Sequence, residues 1–497
     1  MNHRAKRVLA SQLIKTYQPR LLGIGPQRLN STFAKREWST PLAKTIAEAI
    51  KTTGPISIAA FMWQVLTSPD GGYYTTRGRG TEIFGTKGDF ITSPEISQVF
   101  GELVGIWTVA EWMAQGQVSG GIELIEVGPG KGTLMADILR TIRNFKAFSS
   151  NIEAVYLVEA SSSLREVQKQ LLCGDATIEK TDIGYRSISK YLGVPIMWVE
   201  DIRLLPRTDK TPFIFAHEFF DALPIYAFQS VAPLRASQPT TQIMTPTGPT
   251  TLHNSKKVSE TPQWRELMVS LNPRSVVESR KDEPEFQLSI ASAATPSCLL
   301  LPEISRRYKA LKSHPGSIIE VSPESRIIVA EFARRIGGSP ETSARASRGS
   351  PRSVKRKASG AAFILDYGPA STIPLNSLRG IRQHAKVSPF SFPGRVDVSA
   401  DVDFTGLAEA ATEASEGVEV HGPVEQGDFL MSMGIVERAE QLLKNVQDDE
   451  KRRILETGWR RLIDKGVGGM GKLYKVLAIV PENEGRRRPV GFGGIVK

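Results

Sequence analysis

The chain has 497 residues, enough for two domains or one α/β domain with large insertions, and its 40% hydrophobic and 23% charged residues are ordinary for a folded enzyme and exclude a collagen-like or repeat chain. The formal charge of +11 first suggests nucleic acid, but residues 1–36 hold eight Lys/Arg and no acid, and residues 339–359 hold six against Glu341. The rest is close to neutral, which argues against a phosphate-tracking surface, and two cysteines, Cys173 and Cys298, exclude a disulfide framework or a zinc site of the usual spacing.

Residues 1–36 are basic and acid-free, contain Ser and Thr, and carry only a short interrupted apolar run, Val8 to Ile14. That is the composition of a mitochondrial transit peptide; a secretory signal or a membrane anchor needs a longer unbroken run. From 40 to 115 the text reads helical, with Leu42, Ile46, Ala49 and Ile50 at helical spacing, Gln98 to Trp112 repeating the pattern, and a Gly/Thr-rich loop, Pro69 to Ser93, between them. Short apolar strands follow at Ile122–Val127, Val155–Glu159, Ile196–Val199, Phe213–Ala216 and Ala361–Asp366, alternating with helices over Thr133–Ile142 and Ser162–Leu172. The rhythm predicts a doubly wound α/β sheet, with domain segments 116–229 and 316–480. Two stretches break it: 230–315, rich in Ser, Thr and Pro, read as a low-complexity insertion, and 339–359, read as a basic linker. Between them Ser322, Pro323 and Gly337 punctuate a helix, and Leu473–Ile479 is expected as an edge strand.

The sharpest local signal is Glu126-Val-Gly128-Pro-Gly130-Lys-Gly132, where a strand turns into a helix. Glycines at alternate positions let backbone approach a ligand, although the same turn can be a plain tight turn, and G-x-G-x-G is neither the dinucleotide fingerprint nor a P-loop. Glu159 ends the next strand, where a carboxylate can accept from both hydroxyls of a ribose or simply be a solvated strand end. Asp201, just past the third strand, is placed to reach an adenine amino group. After the fourth strand comes Ala216-His-Glu218-Phe-Phe-Asp221-Ala-Leu-Pro224. Glu218 and Asp221 offer two carboxylates beside apolar walls, suited to a forked guanidinium; the alternative is a core Phe pair with Asp221 as a cap. Asp89, Thr92, Ser93 and Glu95 form a polar loop suited to the cofactor or the substrate, or a helix entry with Pro94 at its first turn. Arg382 and His384 are either substrate contacts or the polar face of a helix.

Several segments resemble the MidA family: the glycine turn with its preceding acids, Lys87-Gly-Asp-Phe-Ile-Thr-Ser-Pro-Glu-Ile-Ser97, Phe100-Gly-Glu-Leu103, Glu218 to Pro224 and Asp366-Tyr-Gly368. Leu378-Arg-Gly-Ile-Arg-Gln-His384, Asp401-Val-Asp-Phe404, Gln426-Gly-Asp-Phe-Leu430 and Met470-Gly-Lys-Leu473 continue the match. The family includes mitochondrial complex I assembly factors that are protein arginine methyltransferases. The resemblance implies a class I methyltransferase fold (Rossmann-like) with an added helical lobe, S-adenosyl-L-methionine as cofactor, and a matrix location. It also implies symmetric dimethylation of an arginine on the complex I subunit near the quinone site. Cofactor binding then falls to Glu126, Gly128, Gly130, Gly132, Glu159 and Asp201, and catalysis to Glu218, Asp221 and Glu95, with no metal. His217 stands where the family usually has Asn. Two other readings remain open: a small-molecule methyltransferase, since fold does not fix substrate, and a non-catalytic assembly chaperone.

Overall fold

Apolar runs form the centre of the main sheet of this computed structural model, and three more polar strands complete its nine among the described residues. They are β1 (Ile122–Val127), β2 (Ile152–Val158), β3 (Glu179–Thr181), β4 (Gly184–Ile188), β5 (Pro195–Val199), β6 (Thr211–His217), β7 (Ala361–Tyr367), β8 (Val418–Glu425) and β9 (Tyr474–Pro481). Their order is β8-β9-β7-β6-β1-β2-β5-β4-β3. β7, β6, β1, β2 and β5 run parallel, β9 runs antiparallel between β7 and β8, and β4 and β3 add an antiparallel hairpin beside β5. This is the doubly wound sheet of a class I methyltransferase fold. The structure describes residues 38–76, 91–118, 120–233, 241–245, 248–252, 261–273, 283–338 and 357–493. Residues 1–36, where the transit peptide is expected, Asp89 and most of the 339–359 run lie outside the described residues.

Strand pleating splits the apolar residues between two cores. Phe213, Phe215, Phe363 and Leu365 pack with the helices Gln98–Ala114 and Thr133–Ile142, while Ile214, Ala216, Ala362 and Ile364 pack with Pro323–Gly337 and Phe404–Ala414. Each such Phe, Leu or Ile side chain contributes about 1.5–3 kcal/mol on burial, so the two cores together fix which strand ends lie side by side. A second, antiparallel sheet joins Ile56–Ser57, Tyr226–Val231, Gln263–Leu271, Phe286–Ile290 and Ile318–Val321. The helices Pro41–Thr53 and Ile58–Thr67 cover it through Leu42, Ile46, Phe61 and Val65.

Four expectations need correction. Much of 230–315 is folded rather than low-complexity: Trp264, Leu267 and Val269 are buried in the second sheet, and Glu266, buried beside them and accepting from the Thr295 hydroxyl, disguises the alternation. The last strand is internal, because β8 pairs outside it; Gly422 and Pro423 interrupt β8, and its register slips between His421 and Val424, which hides it in the sequence. The helical region 40–115 is divided, its first two helices serving the second sheet and Gln98–Ala114 the main one. Gly337 is the last helical residue, and Gly338 is the C-cap.

Arg335, buried in that helix, donates to the carbonyls of Ile202 (3.0 Å), Leu205 (2.7 Å) and Pro206 (3.1 Å) and pairs with Glu331 at 3.0 Å, so it holds the loop that follows β5. Arg335→Ala leaves three carbonyls without their donor and Glu331 with Arg207 as its remaining arginine partner, and is expected to cost about 3 kcal/mol. Urea unfolding with an unchanged slope would register it as a lower midpoint.

Candidate active site

The parallel register brings the carboxyl ends of β1, β2 and β6 level: Val127 pairs with Val158 on one side and Ala216 on the other. Ligands bind outside such ends where the connections diverge. A cavity of about 350 Å³ lies there, and Glu95, Glu126, Gly128, Gly130, Glu159, Asp201 and Glu218 line it. Gly132 and Asp221 do not belong to its wall.

Gly128 has φ +66°, and a Cβ at that position would stand 2.7 Å from Cδ2 of Phe219. Only glycine meets both constraints. Gly132, φ +84°, is the N-cap of the helix Thr133–Ile142, whose first turn points its free N–H groups toward the turn. Glu126 is 2% exposed, and among the described residues its Oε2 has no hydrogen-bond partner. Burial pushes its carboxyl up to about 8 against the Met135 backbone N–H.

Glu159 follows β2 and accepts from the Ser161 N–H at 2.7 Å through Oε1 and from Gln168 Nε2 at 3.1 Å through Oε2. Burial raises it to about 7, opposed by those two donors. Asp201 lies in the cavity wall, but its carboxylate is engaged by Arg203, whose Nε stands 2.9 and 3.0 Å from the two oxygens and whose backbone N–H is capped at 2.8 Å. Those Arg203 bonds hold Asp201 below the usual carboxylate range.

The loop after β6 is the most constrained part of the site. Glu218 adopts φ +50°, an uncommon conformation for a non-glycine residue. Its side chain is 7% exposed, and Oε1 has no hydrogen-bond partner among the described residues. Burial, then Asp221 and Asp366, push its carboxyl well up, against Tyr474 and the Ser93 N–H. Asp366, at the end of β7, gathers the loop: its Oδ2 accepts from the N–H of Phe219 (3.1 Å), Phe220 (2.8 Å) and Asp221 (3.3 Å), and its Oδ1 from that of Tyr367 (2.9 Å). The hydroxyls of Tyr367 and Tyr474 are hydrogen-bonded beside it.

Asp221 is thus turned away from the cavity. Burial raises it to about 6, and Arg379, which bonds Asp401, pulls the other way. His217 is buried and pushed down to about 3 by burial, so the 3.6 Å between its Nε2 and Glu218 Oε1 is a contact of a neutral ring and not an ion pair. Glu95 closes a capping box with Thr92 and meets Lys131 of the glycine turn at 3.3 Å, so it ties the Thr92–Ile96 turn to the glycine turn. Ser93 donates to Gln426 at 3.2 Å. Arg382 and His384 lie in and beside a short hairpin rather than on a helix, with Arg382 over the Phe392 ring. Sequence reasoning missed Gln168, Asp366 and Arg379 as parts of the site; the clue available for Asp366 was an acid ending an apolar strand, the same signal that marked Glu159.

A family model described as "Putative S-adenosyl-L-methionine-dependent methyltransferase" matches residues 103–424. The chain is 34% identical over 460 residues to the rat protein named protein arginine methyltransferase NDUFAF7, mitochondrial, covering 92% of this chain and 87% of that one. The human protein of the same name is 33% identical over 447 residues, covering 89% and 84%. A COG1565 superfamily member from Burkholderia thailandensis, solved bound to S-adenosyl-homocysteine, superposes with a TM-score of 0.58 at 19% identity over 92% of this chain and 93% of that one. The chain belongs to the S-adenosylmethionine-dependent methyltransferase family, of the MidA type, and its cofactor is S-adenosylmethionine. The cavity fits that group: a turn stripped of side chains at Gly128, an unpartnered buried Glu126 oxygen, and a Glu159 carboxylate with one partner on each oxygen.

Gly128→Val forces a branched side chain into Phe219 at positive φ and is expected to abolish binding of S-adenosylhomocysteine in calorimetric titration, with far-UV circular dichroism unchanged. Retained binding would displace the turn from the site. Glu159 can accept from two hydroxyls only when ionised, and its folded value near 7 is raised. Affinity for S-adenosylhomocysteine is therefore expected to rise with pH, about tenfold per unit for one linked proton on the acid side, and to bend near that value, any further rise toward about 8 belonging to Glu126 of the same cavity. Ionising the same group opposes folding, so the apo protein loses stability as pH rises from the ordinary glutamate range toward 7. A flat binding profile from about pH 6 to 9 would remove Glu159 from this role.

Proposed function

We propose that this methyltransferase is a protein arginine methyltransferase forming symmetric dimethylarginine on a complex I subunit near the quinone site, and that mitochondrial complex I assembly requires it. The observation that carries the reading is the buried Glu218 carboxyl: it lines the cavity with an unpartnered Oε1, in an environment that a cation would complete. A guanidinium is planar and always charged, and offers the forked donors that a carboxylate takes two at a time. The names of the relatives, which specify arginine and the mitochondrion, support the same reading.

In this reading Gly128, Gly130 and Gly132 leave the backbone open to the cofactor, Glu126 meets its polar tail, Glu159 holds its ribose and Asp201 borders its adenine. When bound, the cofactor supplies an electrophilic methyl on a sulfonium. The protein's contribution is positioning: Glu218 aligns one guanidinium nitrogen, and the uncharged His217 packs behind it. Asp221 acts at one remove, with Arg379 and Asp366 holding the loop, and Glu95 fixes the entrance turn against Lys131. Arrival of the cationic arginine favours ionised Glu218, which then accepts the proton released once the nitrogen is methylated. Residues 1–36 serve as the transit peptide that delivers the chain to the matrix, and 339–359 as a basic linker.

Glu218→Gln keeps the shape and removes the charge. It is expected to lower methylation by at least about a hundredfold while leaving S-adenosylhomocysteine affinity within about threefold. Mass spectrometry of complex I arginines, in mitochondria lacking the protein and in those carrying Glu218→Gln, should show the same symmetric dimethylarginine missing from both. Unchanged arginines together with failed assembly on deletion would overturn the enzymatic reading in favour of a chaperone.

A further inference from the structure

Gln168 lies on the helix Ser162–Cys173, in the buried stripe shared with Arg165 and Leu172, and has no exposed surface. A carboxamide buried there is costly unless it is satisfied, and here it is. Its Nε2 donates to the Gly130 carbonyl at 2.7 Å and to Glu159 Oε2 at 3.1 Å, and its Oε1 accepts from Trp198 Nε1 at 3.0 Å. Both amide protons are therefore committed, one to the glycine turn and one to the carboxylate. Trp198 is itself fully buried in β5, so the group is anchored to the sheet. The residue does not line the cavity and touches it only through these partners.

We infer that Gln168 is a positioning residue of the cofactor site, tying the glycine turn and the Glu159 carboxylate together so that the site selects a ribose bearing both hydroxyls. Ser161 N–H occupies one Glu159 oxygen and Gln168 the other, which fixes the plane of the carboxylate. Each oxygen keeps a lone pair, and two vicinal hydroxyls need two such acceptors in one plane. Without Gln168 the Oε2 side can swing, and the second acceptor is lost while the pocket remains. This inference rests on Glu159 holding the ribose, as proposed above.

The experiment is calorimetric titration of the full chain with S-adenosylhomocysteine and with its 2′-deoxyribose counterpart. Wild type is expected to prefer the hydroxylated ligand by about tenfold or more, the scale of a hydrogen bond to a charged group. Gln168→Leu should bring the two affinities within about threefold of each other, as should Glu159→Gln. If Gln168→Leu does not fold, the near-isosteric Gln168→Met, which fills the same space and can donate to neither partner, gives the same readout. A folded Gln168 variant that weakens both ligands equally, or neither, while Glu159→Gln erases the preference, overturns this inference alone. A preference that survives Glu159→Gln overturns the ribose assignment, and this inference with it.

Discussion

Asp366 ends its strand inside the sheet and turns one carboxylate oxygen on three consecutive N–H groups of the neighbouring loop. Those N–H groups belong to a segment entered through Glu218 at positive φ, a conformation that must be held from outside. The order of the strands makes the contact possible, because β7 lies directly against β6, and Leu365 pairs with His217 two residues before the loop tightens. With that clamp in place Glu218 faces the cavity and Asp221 faces Arg379. Release of the clamp would leave four backbone donors to find other partners and would let the two acids exchange faces.

The charge balance around the clamp follows from burial. Glu218, Asp221 and Asp366 are all pushed up by desolvation, Glu218 further by Asp221 and Asp366, Asp366 by Asp221 and Asp221 by Asp401, and Arg379 is the cation that opposes this at Asp221. Arg379 in turn is held by Asp401 and lies over the Tyr367 ring, at 5.0 Å from its centroid. A site arranged this way discourages a free anion and accommodates an incoming cation.

Strands of unbroken apolar residues were legible because parallel strands covered on both faces carry no other pattern, and the glycine turn was legible because positive φ leaves a compositional trace. Glu126, Gly128, Gly130, Glu159 and Glu218 could be brought to one place on that basis, since each stands at or just past a strand end. Other parts were not legible. Glu266 breaks an inward-facing stripe, and so 263–271 reads as loop. Gly422 and Pro423 cut β8, and so the neighbour of β9 vanishes. Gln168 occupies an apolar position for a reason that lies in three different elements of the fold, and Asp201 is claimed by an arginine only two residues away, a short-range competition that strand-end logic does not see.

The ring of Phe219 fills the space a side chain at Gly128 would need. One residue of the acid-bearing loop is therefore in van der Waals contact with the glycine turn. A ligand that displaces this ring alters the turn, and a ligand that settles the turn alters the ring. Linkage makes the effect reciprocal: whatever factor the first ligand imposes on the affinity of the second, the second imposes on the first. The glycine turn and the acid-bearing loop are thus coupled through a single contact, that of Phe219 with the backbone of Gly128.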